Sequence, residues 1–347
     1  MKIVVANQVV PDSHYVYDIN LIQMSYGLAS LGHKVTLIGL QDERGIIPRG
    51  EIDEIYGIEP NLEWVQLGTF GINRKLLTRN ARLFSWVGYR YAMKLGADCI
   101  YARDYLFPWY CARNSIPTYT ESHARPENDT PEFRKLIAAS QLPAFRCWLT
   151  ISTVLVDGYK KRGVPEEKLL ILPSAVNFSH FGRPDVLPPS PYGTSSPNVV
   201  YTGRLIDENG IPEVLKAAAL LQDVCFHLVG GNLADIKRHE ITIKRNGLKN
   251  IKLHGIKKHS EIPSYLWHAD ALILPYSSRH PNNEWACPLK MVEYLASGRP
   301  IVATDTRMLR NWLKDEEVVY VKPDDGQAMA EGIRHLLVDQ SKIALFS

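Results

Sequence analysis

The sequence lacks the patterns that mark several common classes of protein. Its five cysteines are scattered and form no CxxC pair, which argues against a disulfide framework or a zinc cluster and favours reduced thiols. It has no run of about 18 apolar residues that would span a membrane. The apolar run at residues 2–6 is too short for a signal peptide and fits a buried strand. We therefore expect a cytoplasmic protein.

Motifs for nucleotide cofactors and for metals are also absent. The segment after the first predicted strand reads NQVVPDS and contains no glycine, so the GxGxxG turn of a dinucleotide site is missing. Neither GxxxxGK[ST] nor HExxH occurs, and no two aspartates are spaced as DxD. We expect no metal and no cofactor, so that any bound pyrophosphate would be neutralised by cationic side chains and helix dipoles.

Apolar strands and amphipathic helices alternate along both halves of the 347 residues, which predicts an α/β protein with parallel sheets. A stretch with five prolines at 182–197 predicts a linker or domain edge. The predicted organisation is an N-terminal Rossmann-like domain at 1–181, this linker, and a C-terminal Rossmann-like domain at 198–347. Ligands bind at the carboxyl ends of such strands, so we expect the active site in a cleft between the two sheets.

The charge is unevenly distributed, although the net charge of +3 is far from that of a nucleic-acid-binding protein. No acidic residue lies between Glu63 and Asp98, whereas residues 73–94 contain six cations and several aromatic residues. This composition suits a helix at an anionic membrane surface, and it suits an ordinary basic helix equally well. The first alternative predicts a peripheral protein on the inner face of the membrane.

Two segments of the second half predict a site for a phosphorylated ligand. Gly203 and Arg204 follow a predicted strand, where the fork of an arginine can hold phosphate oxygens. In residues 286–304 a helix begins after Pro288, and its first turn carries Lys290 with Glu293 on the same face. A cation followed by a carboxylate suits a phosphate beside a ribose diol, although a simple Lys–Glu pair has the same spacing.

The motifs GRL (203–205), LHG (253–255), HADALILP (268–275) and PLKMVEYLASGRPIVAT (288–304) resemble the retaining glycosyltransferases of the GT-B fold, the large "family 4" group. In the first half, IYARD (100–104), YTESHARP (119–126) and residues 151–181 resemble the corresponding blocks of that family. The resemblance covers most of residues 1–338. It implies a donor-binding second domain, an acceptor-side first domain and transfer from a nucleotide-diphosphate sugar without a metal.

The resemblance also implies a role for each of several residues. The donor diphosphate would lie near Gly203, Arg204, Asn209 and Lys290, and the donor ribose would bind Glu293. His123 would lie at the transferred sugar. Apart from the resemblance, Glu284 and Glu121 are candidates for a catalytic carboxylate, and the predicted strand that ends at Gly255, with Ile256 and Lys257 after it, could contact the nucleobase through its backbone.

Asn209 stands where the family usually has a lysine, and Trp285 stands where it usually has its first glutamate. We hypothesise that Lys290 replaces the missing lysine.

The predicted function is transfer of a sugar, with retention, from a UDP- or GDP-sugar to a glycan or lipid-linked acceptor, in polysaccharide or glycoconjugate biosynthesis. A sugar-nucleotide epimerase of the same architecture and a non-catalytic sugar-nucleotide-binding protein remain alternatives. No nucleic acid is expected as a partner.

Overall fold

The computed structural model describes residues 1–338 apart from positions 14, 44, 58–61, 69–76, 78–79 and 194–195. The chain divides into two compact units, Met1–Ser174 and Ala175–Ser347. Each unit contains one parallel sheet with helices packed on it, as the sequence predicts. The boundary lies between Ser174 and Ala175, so the proline-rich stretch at 182–197 belongs to the second unit.

The first unit is a seven-stranded parallel sheet in the order β3-β2-β1-β4-β5-β6-β7. Its central strands are continuous apolar runs, because helices cover both faces of such a sheet. The strands are β1 Lys2–Ala6, β2 Lys34–Leu40, β3 Glu63–Leu67, β4 Cys99–Ala102, β5 Thr118–Glu121, β6 Phe145–Thr150 and β7 Leu169–Ile171. The described helices are α1 Val16–Ser30, α2 Arg49–Tyr56, α3 Ala81–Leu95, α4 Leu106–Arg113, α5 Pro131–Ser140 and α6 Thr153–Lys161.

The second unit is a six-stranded parallel sheet in the order β10-β9-β8-β11-β12-β13. Val214 and Ile333, each on a helix, belong to the core that covers one face of this sheet, together with Val199 and Ile273 from its strands. The strands are β8 Asn198–Thr202, β9 Cys225–Val229, β10 Ile251–Gly255, β11 Ala271–Leu274, β12 Ile301–Thr304 and β13 Val319–Val321. The helices are α7 Phe178–Phe181, α8 Ile211–Leu220, α9 Leu233–Arg245, α10 Ile262–Trp267, α11 Leu289–Ala296, α12 Arg307–Arg310 and α13 Gly326–Val338.

In each sheet, the strands that follow the first strand are added first on one side of it and then on the other side. The switch lies between β1 and β4 in the first unit and between β8 and β11 in the second. Loops that leave neighbouring strands at such a point diverge to opposite faces and leave a crevice at the carboxyl edge. Residues that follow β8 and β11 are therefore in position to bind a ligand.

The basic window is partly described. Its helical part is α3, in which Phe84 is buried in the core while Trp86 is 45% exposed. Arg82, Arg90 and Lys94 are exposed on the same helix. The remaining cations of the window, Arg74, Lys75 and Arg79, lie outside the described residues. Across the described part of the chain, no helix is both long and apolar enough to cross a bilayer.

Candidate functional site

Gly203 shapes the carboxyl end of β8. Its φ is +130°, a conformation that glycine adopts far more easily than other residues. A Cβ atom at this position would lie 2.7 Å from Nζ of Lys290. The backbone N–H of Gly203 donates to the Val229 carbonyl at 2.8 Å, which fixes the turn against β9. The bare glycine backbone therefore leaves space for an ammonium group at the end of the strand.

Lys290 fills this space from the first turn of α11. Its Nζ donates to the Tyr201 hydroxyl at 2.8 Å and lies 4.0 Å from the centroid of the Tyr201 ring and 5.1 Å from that of Tyr276. Burial lowers the pKa of Lys290 to about 7, with Glu293 acting in the opposite direction and Arg204 lowering the pKa further. Among the described residues, no carboxylate lies within ion-pair distance of this ammonium. We call Tyr201, Gly203, Tyr276 and Lys290 the lysine site.

A desolvated cation without a counter-ion is costly unless an anion arrives. The aromatic rings offset part of that cost through cation–π attraction, but they leave donor capacity on Nζ unused, since an ammonium carries three N–H groups. The lysine site therefore has the chemistry of an anion site. The low pKa of Lys290 also makes its charge respond to what binds there.

The loop after Gly203 holds the second cation. The Arg204 carbonyl accepts hydrogen bonds from the Tyr201 hydroxyl at 2.8 Å and from Asn209 Nδ2 at 3.0 Å. Asn209 is buried, whereas the Arg204 side chain is exposed. Asn209 therefore binds the backbone of the loop that presents Arg204. The sequence analysis places Asn209 among the phosphate-binding residues, but in the structure its side-chain amide donates to this backbone carbonyl.

Helix α11 is joined to the end of β8 by a buried tyrosine. The Tyr294 hydroxyl accepts the backbone N–H of Thr202 at 2.8 Å, and the ring is fully buried. Because Tyr294 lies on the same helix as Lys290 and Glu293, this contact sets the position of both residues relative to Gly203.

Glu293 is 6% exposed and pairs with a histidine that sequence reasoning did not single out. His259 Nε2 lies 3.1 Å from Glu293 Oε1, and His259 is 8% exposed. The Phe181 ring packs on His259 with centroids 5.1 Å apart. Residues 259 and 293 are 34 positions apart, so no local spacing indicates this pair.

The ends of β9 and β10 meet at Gly230, which was also missed. The Gly230 N–H donates to the Gly255 carbonyl at 2.8 Å, and a Cβ at Gly230 would lie 2.3 Å from the Gly203 carbonyl oxygen. The glycine pair after β9 was a usable signal for this close approach. Three residues were predicted to lie near the nucleobase. The carbonyl of Gly255 accepts the Gly230 N–H, Ile256 is 48% exposed, and Lys257 is partly buried.

Glu284 has a different environment. Its carboxylate is 3.8 Å from the Arg307 guanidinium, and both side chains are largely exposed. Its backbone carbonyl accepts a hydrogen bond from Asn311. The structure thus pairs Glu284 with a surface arginine and not with the residues of the lysine site.

In the first unit, His123 follows β5 and belongs to a buried polar cluster. Arg103 Nη2 lies 3.0 Å from His123 Nδ1, and Glu121 Oε1 lies 2.6 Å from Nε2 in a contact that is not a straight hydrogen bond. Glu121 also accepts from the Tyr101 hydroxyl, and Arg103 stacks over the Tyr17 ring at 4.3 Å. Burial lowers the pKa of His123; Glu121 opposes this change and Arg103 reinforces it.

An arginine can only donate, so Nδ1 of His123 accepts and the ring proton lies on Nε2. The ring is therefore held neutral in one tautomer near pH 7. The sequence identified His123, whereas Arg103 and Tyr101 become part of its surroundings only through the pairing of β4 with β5.

A metal site is not apparent in the parts of the chain that the structure covers, where no three His, Cys, Asp or Glu side chains converge.

Residues 196–339 match the family model described as "Glycosyl transferases group 1", so the family resemblance is confirmed for the second unit. Among curated relatives, the "Putative colanic acid biosynthesis glycosyltransferase WcaL" of Escherichia coli (strain K12) is 24% identical over 208 residues. That alignment covers 58% of this chain and 49% of the relative, so the chain spans about half the length of WcaL.

Solved structures confirm the GT-B fold. Sucrose-phosphate synthase from Thermosynechococcus elongatus has a TM-score of 0.74 at 18% identity, covering 99% of this chain and 92% of that one. HepE from Anabaena, solved in complex with UDP, has a TM-score of 0.71 at 17% identity, covering 100% and 92%. A putative UDP-N-acetylglucosamine 2-epimerase from Listeria monocytogenes also matches, with a TM-score of 0.63 at 10% identity, covering 99% and 90%. The fold alone therefore does not separate transferase from epimerase.

Proposed function

We propose that this protein is a glycosyltransferase that binds a nucleotide-diphosphate sugar at the lysine site of its second unit. The observation that carries the proposal is the Lys290 ammonium, which is held against Gly203 by two tyrosines with no carboxylate partner among the described residues. Arg204 adds a second cation to the same region, since its charge lowers the pKa of Lys290. Glu293, one helical turn from Lys290, would accept hydrogen bonds from the ribose hydroxyls.

In the proposed reaction the bond between the anomeric carbon and the diphosphate oxygen breaks as positive charge develops on the sugar. The oxygen of an acceptor hydroxyl bonds to the anomeric carbon, and the hydroxyl proton passes to the departing diphosphate. Lys290 and Arg204 would stabilise the departing diphosphate, which is the charge that grows in the transition state. His123 remains the proposed catalytic residue of the first unit, as a neutral ring whose Nδ1 is occupied by Arg103. The name of the WcaL relative, a colanic acid biosynthesis glycosyltransferase, supports a role in polysaccharide biosynthesis. Retention of configuration and a glycan or lipid-linked acceptor are further parts of the proposal.

A panel of UDP- and GDP-sugars, incubated with the protein and a membrane-lipid or oligosaccharide acceptor fraction, tests this function. A transferase releases free nucleotide diphosphate and labels the acceptor. An epimerase yields a new sugar nucleotide without releasing diphosphate, and a binding protein changes neither. Release that requires the acceptor and is lost in Lys290→Ala, but not in the exposed control Lys314→Ala, would support the proposal. Either of the other two patterns would reject it.

We further propose that α3 brings the protein to an anionic membrane surface. Arg90 lies 5.8 Å from the Trp86 ring centroid, and both side chains are exposed together with Lys94. Each such cation is worth about 1 kcal/mol at an anionic surface. Sedimentation with phosphatidylglycerol vesicles should show salt-sensitive binding that falls in Arg90→Glu/Lys94→Glu. Equal sedimentation with neutral vesicles, or no effect of the double variant, contradicts the membrane contact.

A further inference from the structure

We infer that His259 is a positioning residue that makes the donor site selective for ribonucleotides over 2′-deoxyribonucleotides. The inference rests on the proposed function, because it assumes that Glu293 accepts the donor ribose. It extends that function by assigning a role to a histidine outside the family motifs and by predicting which sugar of the nucleotide the site prefers.

The pair is buried and geometrically defined. Glu293 and His259 are 6% and 8% exposed, and His259 Nε2 lies 3.1 Å from Glu293 Oε1. A carboxylate can only accept, so Nε2 must donate this hydrogen bond. Oε1 is thereby occupied, and Oε2 is the oxygen left to meet a ligand, since no hydrogen bond to it is found among the described residues.

His259 is itself held in place from the other side. It begins a short 3₁₀ turn, His259–Glu261, that follows the loop after β10. The Phe181 ring packs on it, and the Phe181 carbonyl accepts the indole N–H of Trp267 at 2.8 Å. The α7 segment therefore supports His259, and His259 in turn fixes the rotamer of Glu293.

This arrangement has a chemical consequence for the ligand. A glutamate side chain has three rotatable bonds, and a carboxylate that turns freely loses much of its advantage in binding a fixed diol. A carboxylate pinned through Oε1 presents Oε2 in one direction, one turn along α11 from Lys290. A ribose whose phosphates lie at Lys290 would thus place its hydroxyls at a pre-oriented acceptor, and a 2′-deoxyribose would leave that buried charged acceptor without one of its partners.

Calorimetric titration of the full chain with UDP and 2′-deoxy-UDP, and with GDP and 2′-deoxy-GDP in parallel, tests the inference. Wild type should bind the preferred ribonucleotide about tenfold more tightly than its deoxy analogue, the loss expected for one hydrogen bond to a charged group. His259→Ala and Glu293→Gln should both reduce this ratio towards one. His259→Gln, which keeps a donor for Glu293, should retain most of it.

A buried histidine elsewhere in the same unit is the matched control. His227 is 2% exposed and contacts His254 and Asn198 instead of an acid. His227→Gln should leave the ribose-to-deoxyribose ratio unchanged, even if it lowers the melting temperature. A general loss of stability in His259→Ala would weaken both nucleotides alike and leave the ratio intact, so the ratio separates positioning from mere structural support.

The outcomes are distinguishable. If wild type discriminates and Glu293→Gln does not, while His259→Ala still discriminates, His259 has no positioning role and the inference is overturned. If wild type binds ribose and deoxyribose forms equally, the ribose contact of Glu293 is wrong, although diphosphate binding stands. If no nucleoside diphosphate binds, the proposed function itself fails.

Discussion

Replacing Lys290 by methionine is the most informative perturbation of the lysine site. Methionine matches the apolar part of the lysine side chain but lacks the terminal ammonium that contacts the Tyr201 hydroxyl and ring. A hydrogen bond to a charged group contributes about 1.5–3 kcal/mol. Lys290→Met should therefore weaken nucleoside diphosphate binding by roughly tenfold to more than a hundredfold.

The pH dependence gives a second and sharper expectation. The pKa of Lys290 is lowered from 10.5 to about 7, mainly by burial, so the free protein loses this charge as the pH rises above 7. A bound diphosphate favours the charged form, so binding above pH 7 takes up a proton. Affinity should then fall by up to about tenfold for each pH unit between 7 and 9, and this slope should vanish in Lys290→Met.

Stability should change in the opposite direction. The unfolded chain holds a proton on Lys290 up to its ordinary pKa of 10.5, whereas the folded chain releases it near pH 7. The free energy of unfolding therefore rises with pH between about 7 and 10.5, and below pH 7 the cost of burying the charge is fully present. Without ligand at pH 7, Lys290→Met should melt at a higher temperature than wild type.

Titration calorimetry at pH 7, 8 and 9, in buffers of differing ionisation enthalpy, measures affinity and proton uptake together. Thermal unfolding over the same pH range measures how stability changes with pH. An unchanged affinity in Lys290→Met, or a pH slope that persists in that variant, would refute the assignment of the diphosphate to this lysine. Lys314→Met, on the exposed surface, should match wild type in both experiments.

Three further substitutions test the surroundings of the lysine site. Gly203→Ala places a Cβ atom 2.7 Å from Nζ of Lys290 at a φ of +130°. We therefore expect the free energy of unfolding in urea to fall by about 1–3 kcal/mol and nucleotide binding to weaken. A variant as stable as wild type would contradict the strained turn at Gly203. Asn209→Ala removes the 3.0 Å hydrogen bond to the Arg204 carbonyl and should lower the free energy of unfolding by about 1–2 kcal/mol. If Asn209 instead bound phosphate directly, the substitution would reduce nucleotide affinity more than it reduces the melting temperature. Glu284→Ala breaks only an exposed contact with Arg307 and should leave nucleotide affinity within about twofold of wild type; a large loss would assign Glu284 a role in the donor site that its position does not indicate.

The sequence alone predicted the architecture and the positions of the candidate donor residues on its strands and helices, because these depend on short-range patterns. Apolar runs and helical spacing set the strands and helices, and Gly203 with Arg204 follows β8 where such residues were expected. Lys290 and Glu293 lie on α11, which extends over Leu289–Ala296 as the Pro288 start and the helical spacing predict. These features require only neighbours along the chain.

Tertiary structure decided the partners of those residues. Lys290 meets Tyr201 across 89 positions and Glu293 meets His259 across 34, and in the first unit Arg103 reaches His123 because β4 and β5 pair. Local spacing carries no information about such contacts, since they arise where distant strand ends converge at the carboxyl edge of a parallel sheet. The sequence by itself thus determined which residue types stand at that edge, whereas only the folded sheet decided that the lysine is enclosed by tyrosines and the glutamate pinned by a histidine.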